Sequence, residues 1–142
     1  MKELGGKVKI EAVDRINRAH STSQIKYDRK LDLCLLEIRD MNFKIPALKI
    51  ASKAPEYAER FYNLGAPLGV IDGQMVPVFE GFFMGNDNEH AFYSIPAVGG
   101  SSGSPIVNSR GELIGMIHSV HFRMHHISLS PRYVDLWNFL KK

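Results

Sequence analysis

The most informative segment of the sequence is Val98-Gly99-Gly100-Ser101-Ser102-Gly103-Ser104-Pro105-Ile106-Val107. Three glycines and three serines fill six consecutive positions, and a proline and an apolar run follow them. Glycines at this density allow positive φ angles and the close approach of another backbone. A serine in such a turn presents its hydroxyl outward, and neighbouring N–H groups can surround the oxygen of an attacked carbonyl. The apolar run argues against a flexible linker, so the segment predicts either a functional loop or a Gly/Ser hairpin turn.

The part Gly100-Ser101-Ser102-Gly103-Ser104-Pro105 resembles the nucleophile motif of the chymotrypsin/trypsin-like serine peptidases. It is most similar to the Gly-x-Ser-Gly-Ser-Pro form of the HtrA-like and glutamyl endopeptidase branches. The continuation from Ile106 to Gly115 is similar to the strand, tight turn and second strand that follow the serine in that family. The resemblance implies that Ser102 is the nucleophile and that the N–H groups of Gly100 and Ser102 form the oxyanion hole.

A carboxylate, Asp32, stands directly before four apolar residues in the segment 31–38. Burying an unpaired charge is costly, so the position needs an explanation. Either Asp32 ends a strand and faces water, or it is the triad acid, as a similarity to the family's Asp-Leu-Ala-Leu-Leu-Lys-Ile implies. In the second case Asp32 accepts a hydrogen bond from the Nδ1–H of the catalytic imidazole. We predict that 31–38 is a buried strand and that Cys34 is a small core residue.

The catalytic histidine that the resemblance requires was not found. The family has it well upstream of the acid, and only His20 precedes Asp32 here. His20 is too near Asp32 for the intervening strands, and no apolar strand leads into it, so we predict a solvated loop histidine. Three explanations stay open: a fragment of a longer protease, a degenerate protease, or a separate segment that supplies the histidine.

Many short apolar segments separated by turn signals such as Asp72-Gly73 predict an all-β chain. A late helix is predicted with Ser130 as its N-cap and Pro131 as its first residue. The resemblance implies a chymotrypsin-like double β-barrel whose first barrel is incomplete, followed by this C-terminal helix.

The resemblance covers nearly the whole chain and implies one partial peptidase domain over 1–142. Within it, 1–51 is the remnant of the first barrel, and 61–142 is the second barrel with the helix.

By the same resemblance the specificity pocket is lined by Pro96, Gly99, His118 and Val120. Glutamyl endopeptidases keep a histidine near the third of these positions, which suggests a preference for acidic side chains of the substrate. Four histidines lie close together, at positions 118, 121, 125 and 126. Their spacing is not that of a common zinc site and no thiolate is near, so we predict no metal and no cofactor.

The composition fits a single globular domain, because 44% of the 142 residues are hydrophobic and 23% are charged. The net charge of +3 has no dense Lys/Arg cluster, so we predict no nucleic-acid partner. The segment 1–7 has no continuous apolar run, so we expect no signal peptide and no membrane partner. A single cysteine excludes an internal disulfide and is compatible with the cytoplasm.

These features predict a serine-type endopeptidase domain that acts on a peptide or protein through an acyl-enzyme. Ser102 and Asp32 are present and the base is not found, so we expect the chain alone to be inactive or incomplete. The alternative is a non-catalytic, peptide-binding pseudoprotease module.

Overall fold

The computed structural model describes residues 10–14, 16–39, 46–69 and 75–141. The chain divides into two compact units, Met1–Ile45 and Pro46–Lys142. The predicted Asp72-Gly73 turn lies outside the described residues.

The first unit contains a three-stranded antiparallel sheet in the order β1-β2-β3. Its strands are β1 (Glu11–Val13), β2 (Ala19–Asp28) and β3 (Leu33–Ile38). β2 pairs with β1 from its first residues, since Ala19 is opposite Val13 and His20 is opposite Ala12. The predicted strand over 31–38 is present as β3, but the prediction that it is buried is wrong, since Leu33 is buried and the next residue, Cys34, is exposed.

The second unit contains a seven-stranded sheet in the order β8-β7-β4-β5-β6-β10-β9. Its elements are β4 (Arg60–Leu64), β5 (Val78–Asn86), β6 (His90–Tyr93), β7 (Pro105–Val107), β8 (Leu113–Met116), β9 (Ser119–His121), β10 (Met124–Pro131) and α1 (Tyr133–Lys141). The sheet curls so that β8 approaches β10, and the Met116 N–H donates to Ser130 Oγ over 3.0 Å. Gly115 makes this approach possible, since a Cβ there would lie 2.8 Å from the same oxygen.

Aromatic and branched aliphatic side chains fill the inside of this curled sheet. Tyr93 is fully buried, with the ring of Phe61 edge-on at 5.7 Å and that of Phe83 at 5.4 Å. Offset and edge-to-face contacts of this kind add to the free energy gained by burying the rings. Ile95, Ile106, Ile114 and Ile117 complete the fully buried set.

The predicted helix exists, but it starts later than its capping signals suggest. Ser130 and Pro131 are the last residues of β10, and α1 begins at Tyr133. The Ser130 hydroxyl donates to the Pro131 carbonyl over 2.8 Å and accepts from β8, so it does not cap the helix. Leu136 and Phe139 are the buried residues on the inner face of α1. The described residues contain no helix long and apolar enough to cross a membrane.

Residues 49–51 belong to the second unit. The Leu113 N–H donates to the Lys49 carbonyl over 2.7 Å, and the Ala51 N–H donates to the Leu113 carbonyl over 2.9 Å. The division into a first-barrel remnant over 1–51 and a second barrel over 61–142 stays a prediction.

Candidate active site

The segment 98–104 is a tight loop that hydrogen bonds hold at both ends. At its start, the Ser101 N–H donates to the Val98 carbonyl over 3.0 Å. At its end, the Gly103 N–H donates to the Ile117 carbonyl over 2.7 Å, and the Ile117 N–H donates to the Ser104 carbonyl over 3.0 Å. The Ser104 hydroxyl also donates to the Ser101 carbonyl. The loop is therefore fixed to the end of β8.

A second turn supports the same loop from the other side. The Leu68 N–H donates to the Gly99 carbonyl over 2.8 Å. Gly100 has φ +92°, and a Cβ on it would lie 2.9 Å from Leu68 N and 3.1 Å from the Ala66 carbonyl oxygen. Leu68 itself has a left-handed φ of 55° in the 3-10 turn Pro67–Gly69. The loop thus needs glycine at position 100 for both its φ angle and its space.

The hydroxyl of Ser102 lies on the exposed side of this loop. Its Oγ donates to the His118 backbone carbonyl over 3.3 Å. Within the described ranges, the N–H groups of Gly100 and Ser102 donate to no acceptor. Unpaired N–H groups near a serine hydroxyl are what an oxyanion hole requires, and the assignment of these two groups to such a hole stays a prediction.

A cavity of about 270 Å³ opens beside this hydroxyl, and we call it the Ser102 cavity. It is lined by Val98, Gly99, Ser101, Ser102, Ile117, Ser119 and Val120. Of the four residues that the sequence assigned to the specificity pocket, Gly99 and Val120 line it. Pro96 and His118 are not among its lining residues.

The His118 side chain faces another part of the second unit. Its ring stacks on that of His90, with centroids 5.2 Å apart and an angle of 8° between the planes. The four histidines of positions 118–126 do not converge. In the part of the chain that the structure describes, no three His, Cys, Asp or Glu side chains are grouped to hold a metal ion.

Asp32 lies in the first unit, in the turn before β3. It is exposed and has φ 53°, a left-handed conformation that aspartate tolerates better than most residues. The neighbouring Asp28 organises this turn by accepting the N–H groups of Lys30 and Leu31 over 2.9 and 3.0 Å. No described residue donates to the Asp32 carboxylate. Its role as the triad acid stays a prediction.

His20 is not the solvated loop histidine that the sequence suggests. It lies in β2 with 7% of its surface exposed, and its Nε2 is 3.0 Å from Asp14 Oδ2. Sequence analysis missed Asp14, whose Oδ1 accepts the N–H groups of Ile16 and Arg18 over 2.9 Å each. An acid at the first position of a tight turn is the signal that could have indicated it.

Asp14 should stabilise the first unit in a pH-dependent way. The backbone N–H of Arg18 and the His20 ring hold the pKa of the Asp14 carboxyl below its ordinary value of 3.8. A depressed pKa gives stability that is complete above the ordinary value and is lost as the pH falls through the native value. We expect Asp14→Asn to lower the melting temperature at pH 7, and we expect the difference to shrink as the pH falls below 3.8 through the native pKa. Circular dichroism melts at pH 7 and through the acid range test this, and a difference that stays constant in acid would contradict it.

A family model of the trypsin-like peptidase domain matches residues 3–116. The chain belongs to the trypsin-like peptidase family. The prediction of a chymotrypsin/trypsin-like serine peptidase is thereby confirmed. No curated protein matches the sequence.

Solved structures share the fold of this trypsin-like peptidase domain. The serine endoprotease from Yersinia pestis has a TM-score of 0.79 at 18% identity, over 94% of this chain and 47% of that one. The active form of the Rv3671c protease from M. tuberculosis has a TM-score of 0.73 at 15% identity, over 88% of this chain and 59% of that one. The inactive form of a serine-to-alanine mutant of Rv3671c gives 0.70 at 12% identity, over 87% and 64%.

These neighbours confirm the prediction of an all-β, chymotrypsin-like fold with an incomplete first barrel. The trypsin-like peptidase domain described here spans about half to two thirds of the length of these solved structures.

Proposed function

We propose that this domain supplies the nucleophile and the oxyanion hole of a serine-type endopeptidase, and that a histidine outside the described residues supplies the base. The pair of N–H groups at Gly100 and Ser102 carries this proposal. Both are fixed by the hydrogen bonds of the loop and both lack an acceptor within the described ranges. Both residues are exposed, so these two N–H groups are open to the carbonyl oxygen of a bound peptide.

The proposed reaction is acyl transfer. Ser102 Oγ attacks the peptide carbonyl carbon while the imidazole base takes its proton. The two N–H groups hold the oxyanion, and Asp32 orients the imidazole. The intermediate collapses, the C–N bond breaks, and the leaving amine takes the proton from the imidazole. Water then attacks the acyl-enzyme by the same route and releases the acid.

His20 fits the role of the base poorly. In the catalytic arrangement the histidine directs Nδ1 to its acid and Nε2 to the serine. Here Nε2 of His20 faces Asp14. Within the described residues, the hydrogen bond of the Ser102 hydroxyl goes to a backbone carbonyl and not to a histidine ring.

We propose a peptide or protein as the substrate, and a histidine-bearing segment as a further partner. Nucleic acid and membranes are not proposed as partners. The rival function is a non-catalytic module that holds a peptide in the Ser102 cavity. The bond from the Ser102 hydroxyl to the His118 carbonyl favours it, because a hydroxyl that donates there is not being deprotonated by a base.

Labelling with a fluorophosphonate probe tests the proposed function. We expect weak labelling of residues 1–142 and strong labelling when the sequence upstream is included. The signal should disappear in Ser102→Ala and persist in Ser109→Ala, a matched change at an exposed serine of the β7–β8 turn.

A His20→Ala variant distinguishes His20 from a base outside the described residues. Labelling that persists in this variant supports a base from outside the described residues. Labelling that is lost there, with the fold retained, makes His20 the base and overturns that part of the proposal. No labelling in any form favours the peptide-binding module.

A further inference from the structure

The hairpin that joins β9 to β10 has a tip of aromatic and basic side chains. Its turn residues are Phe122 and Arg123, and three histidines flank them at positions 121, 125 and 126. Most of these side chains are exposed. The sequence has no Asp or Glu over 113–134, which contains the hairpin. We call residues 121–126 the basic hairpin, since it presents a guanidinium and several imidazoles with no acid of its own.

Arg123 is held in place but has no carboxylate partner among the described residues. Its guanidinium carbon lies 5.0 Å from the centroid of the Phe122 ring, and the His121 ring lies 5.0 Å from that same ring. The other arginines described in the second unit, at positions 60, 110 and 132, each pair with an acid. Stacking on a ring orients a guanidinium without using its N–H donors. The donors of Arg123 are therefore open to a carboxylate from outside the described residues.

The basic hairpin lies beside the Ser102 cavity. The Ala97 N–H donates to the His125 carbonyl over 3.3 Å, and the next residue, Val98, lines the cavity. On the other strand, Val120 lines the cavity and the turn begins two residues later. At about 3.3 Å per residue, the turn lies about 7 Å along the strand from this wall. The segment 90–111, which includes the loop of Ser102, also contains no Asp or Glu.

We propose that the basic hairpin is an exosite that binds an acidic segment of the polypeptide on which Ser102 acts. The residue that bears the attacked carbonyl is the one nearest the Ser102 cavity, and β9 leads from this cavity to the turn. The acidic segment therefore lies on the acyl side, a few residues before the bond to be cleaved. Its carboxylates accept from Arg123 and from the imidazole N–H groups. The inference rests on the proposed function for the chain at Ser102 and adds to it a contact outside the cavity.

A polypeptide fits this surface better than a lipid bilayer does. Phe122 is 75% exposed, but the Arg123 guanidinium and the His121 ring lie against its ring. Insertion of Phe122 into hydrocarbon would take the guanidinium out of water, which is strongly unfavourable. A carboxylate on a hydrated chain meets the same guanidinium without that cost.

Binding of product-like peptides to residues 1–142 tests the exosite without any need for the base. The probes are N-acetylated octapeptides that end in four alanines with a free carboxylate and begin with four glutamates, four glutamines or four lysines. The readout is an NMR titration of the amides of Arg123, His125 and Gly99. We expect the glutamate probe to bind about fivefold tighter than the glutamine probe, and the lysine probe to bind most weakly. The preference should shrink when the salt concentration is raised from about 0.05 M to about 0.5 M.

Substitutions of Arg123 assign the preference to the hairpin. Arg123→Ala should bring the affinities for the glutamate and glutamine probes to within about twofold of each other. Arg123→Glu should reverse the order, so that the lysine probe binds tighter than the glutamate probe. Both substitutions are at an exposed turn position, and thermal melts check that the fold persists.

Arg60→Ala is the matched control. Arg60 also lies over an exposed phenylalanine ring, that of Phe82 at 5.5 Å, but it pairs with Glu80. Its strand, β4, is separated from β9 by three strands of the sheet. We expect this variant to keep the full preference for the glutamate probe.

The outcomes distinguish failure of this inference from failure of the proposed function. Equal affinity for the glutamate and glutamine probes, or a preference that survives Arg123→Ala, would overturn the exosite while Ser102 labelling kept the proposed function. Binding to vesicles of equal parts phosphatidylcholine and phosphatidylserine, lost in Phe122→Ala, with no preference among the peptides, would overturn it in favour of a membrane surface. Failure of labelling, with the Arg123-dependent preference retained, would support the acidic-peptide surface and remove the enzyme.

Discussion

Gly81→Ala should destabilise the second unit by about 3 kcal/mol, at the upper end of the usual range for overpacking. A Cβ at Gly81 would lie 2.2 Å from the carbonyl oxygen of Ser94 and 2.5 Å from its carbonyl carbon. Both atoms belong to the backbone, so no side-chain rotation can relieve the contact. Movement of Ser94 is opposed by its own bonds to β5. Its N–H donates to the Phe82 carbonyl, and its hydroxyl accepts the Phe82 N–H, each over 2.9 Å.

Urea unfolding of Gly81→Ala against the wild type measures this loss. Gly99→Ala is the matched control, because a Cβ there would have no heavy atom within 4 Å and the residue needs no positive φ. We expect the control to change the unfolding free energy by about 0.5 kcal/mol or less. Equal midpoints for the two variants would show that the contact between β5 and Ser94 is not tight.

Gly100→Ala should slow the labelling of Ser102 about a hundredfold in a form of the protein that is labelled. The substitution strains φ +92° and brings a Cβ to 2.9 Å from Leu68 N and 3.1 Å from the Ala66 carbonyl oxygen. The Gly100 peptide must then rotate or shift, which displaces the N–H that the proposed oxyanion hole needs. Loss of one oxyanion donor typically costs about two to three orders of magnitude in rate.

Gly103→Ala distinguishes backbone strain from displacement of the Gly100 N–H as the cause of slower labelling. Gly103 has a similar φ of +88°, but a Cβ there would meet nothing within 4 Å. Gly103→Ala should therefore introduce backbone strain alone, and we expect its labelling rate to fall less than that of Gly100→Ala. Equal losses in the two variants would argue that strain rather than displacement of the N–H controls reactivity. Thermal melts of both variants show whether the fold persists.

The loop 98–104 was predictable because its requirements are local. Glycines with positive φ, a serine between them and a proline that starts a strand are all written in consecutive positions. Its support by Leu68 was not predictable. That contact joins residues some thirty positions apart, and the exposed side chain of Leu68 gives no sign that its N–H holds Gly99.

Three predictions from local sequence were wrong because tertiary structure overrides the local signals. Ser130-Pro131 has the signals of a helix start, but pairing with β6 keeps both residues in β10. His20 looks solvated in a polar stretch, yet the Asp14 carboxylate stabilises it in a buried position. Cys34 lies in an apolar run but is exposed on the sheet of the first unit.

The direction of His118 could not be read from the apolar run Leu113–Val120. A continuous strand would have fixed which side each residue faces, but the run breaks between β8 and β9 at Ile117 and His118. A shift of one residue exchanges the two faces of a strand. The sequence therefore could not fix which side chains of this run line the Ser102 cavity.

The hydrogen bond from the Leu68 N–H to the Gly99 carbonyl constrains the backbone at position 68 and leaves its side chain unconstrained. The Leu68 side chain is 76% exposed, whereas its backbone holds φ 55° and its N–H fixes the loop that carries Ser102. Substitutions at position 68 are therefore restricted by the backbone conformation and not by the chemistry of the side chain. Asparagine, aspartate or glycine would preserve the bond, and a β-branched residue would break it. The backbone of an exposed turn thus sets the position of the loop that carries Ser102.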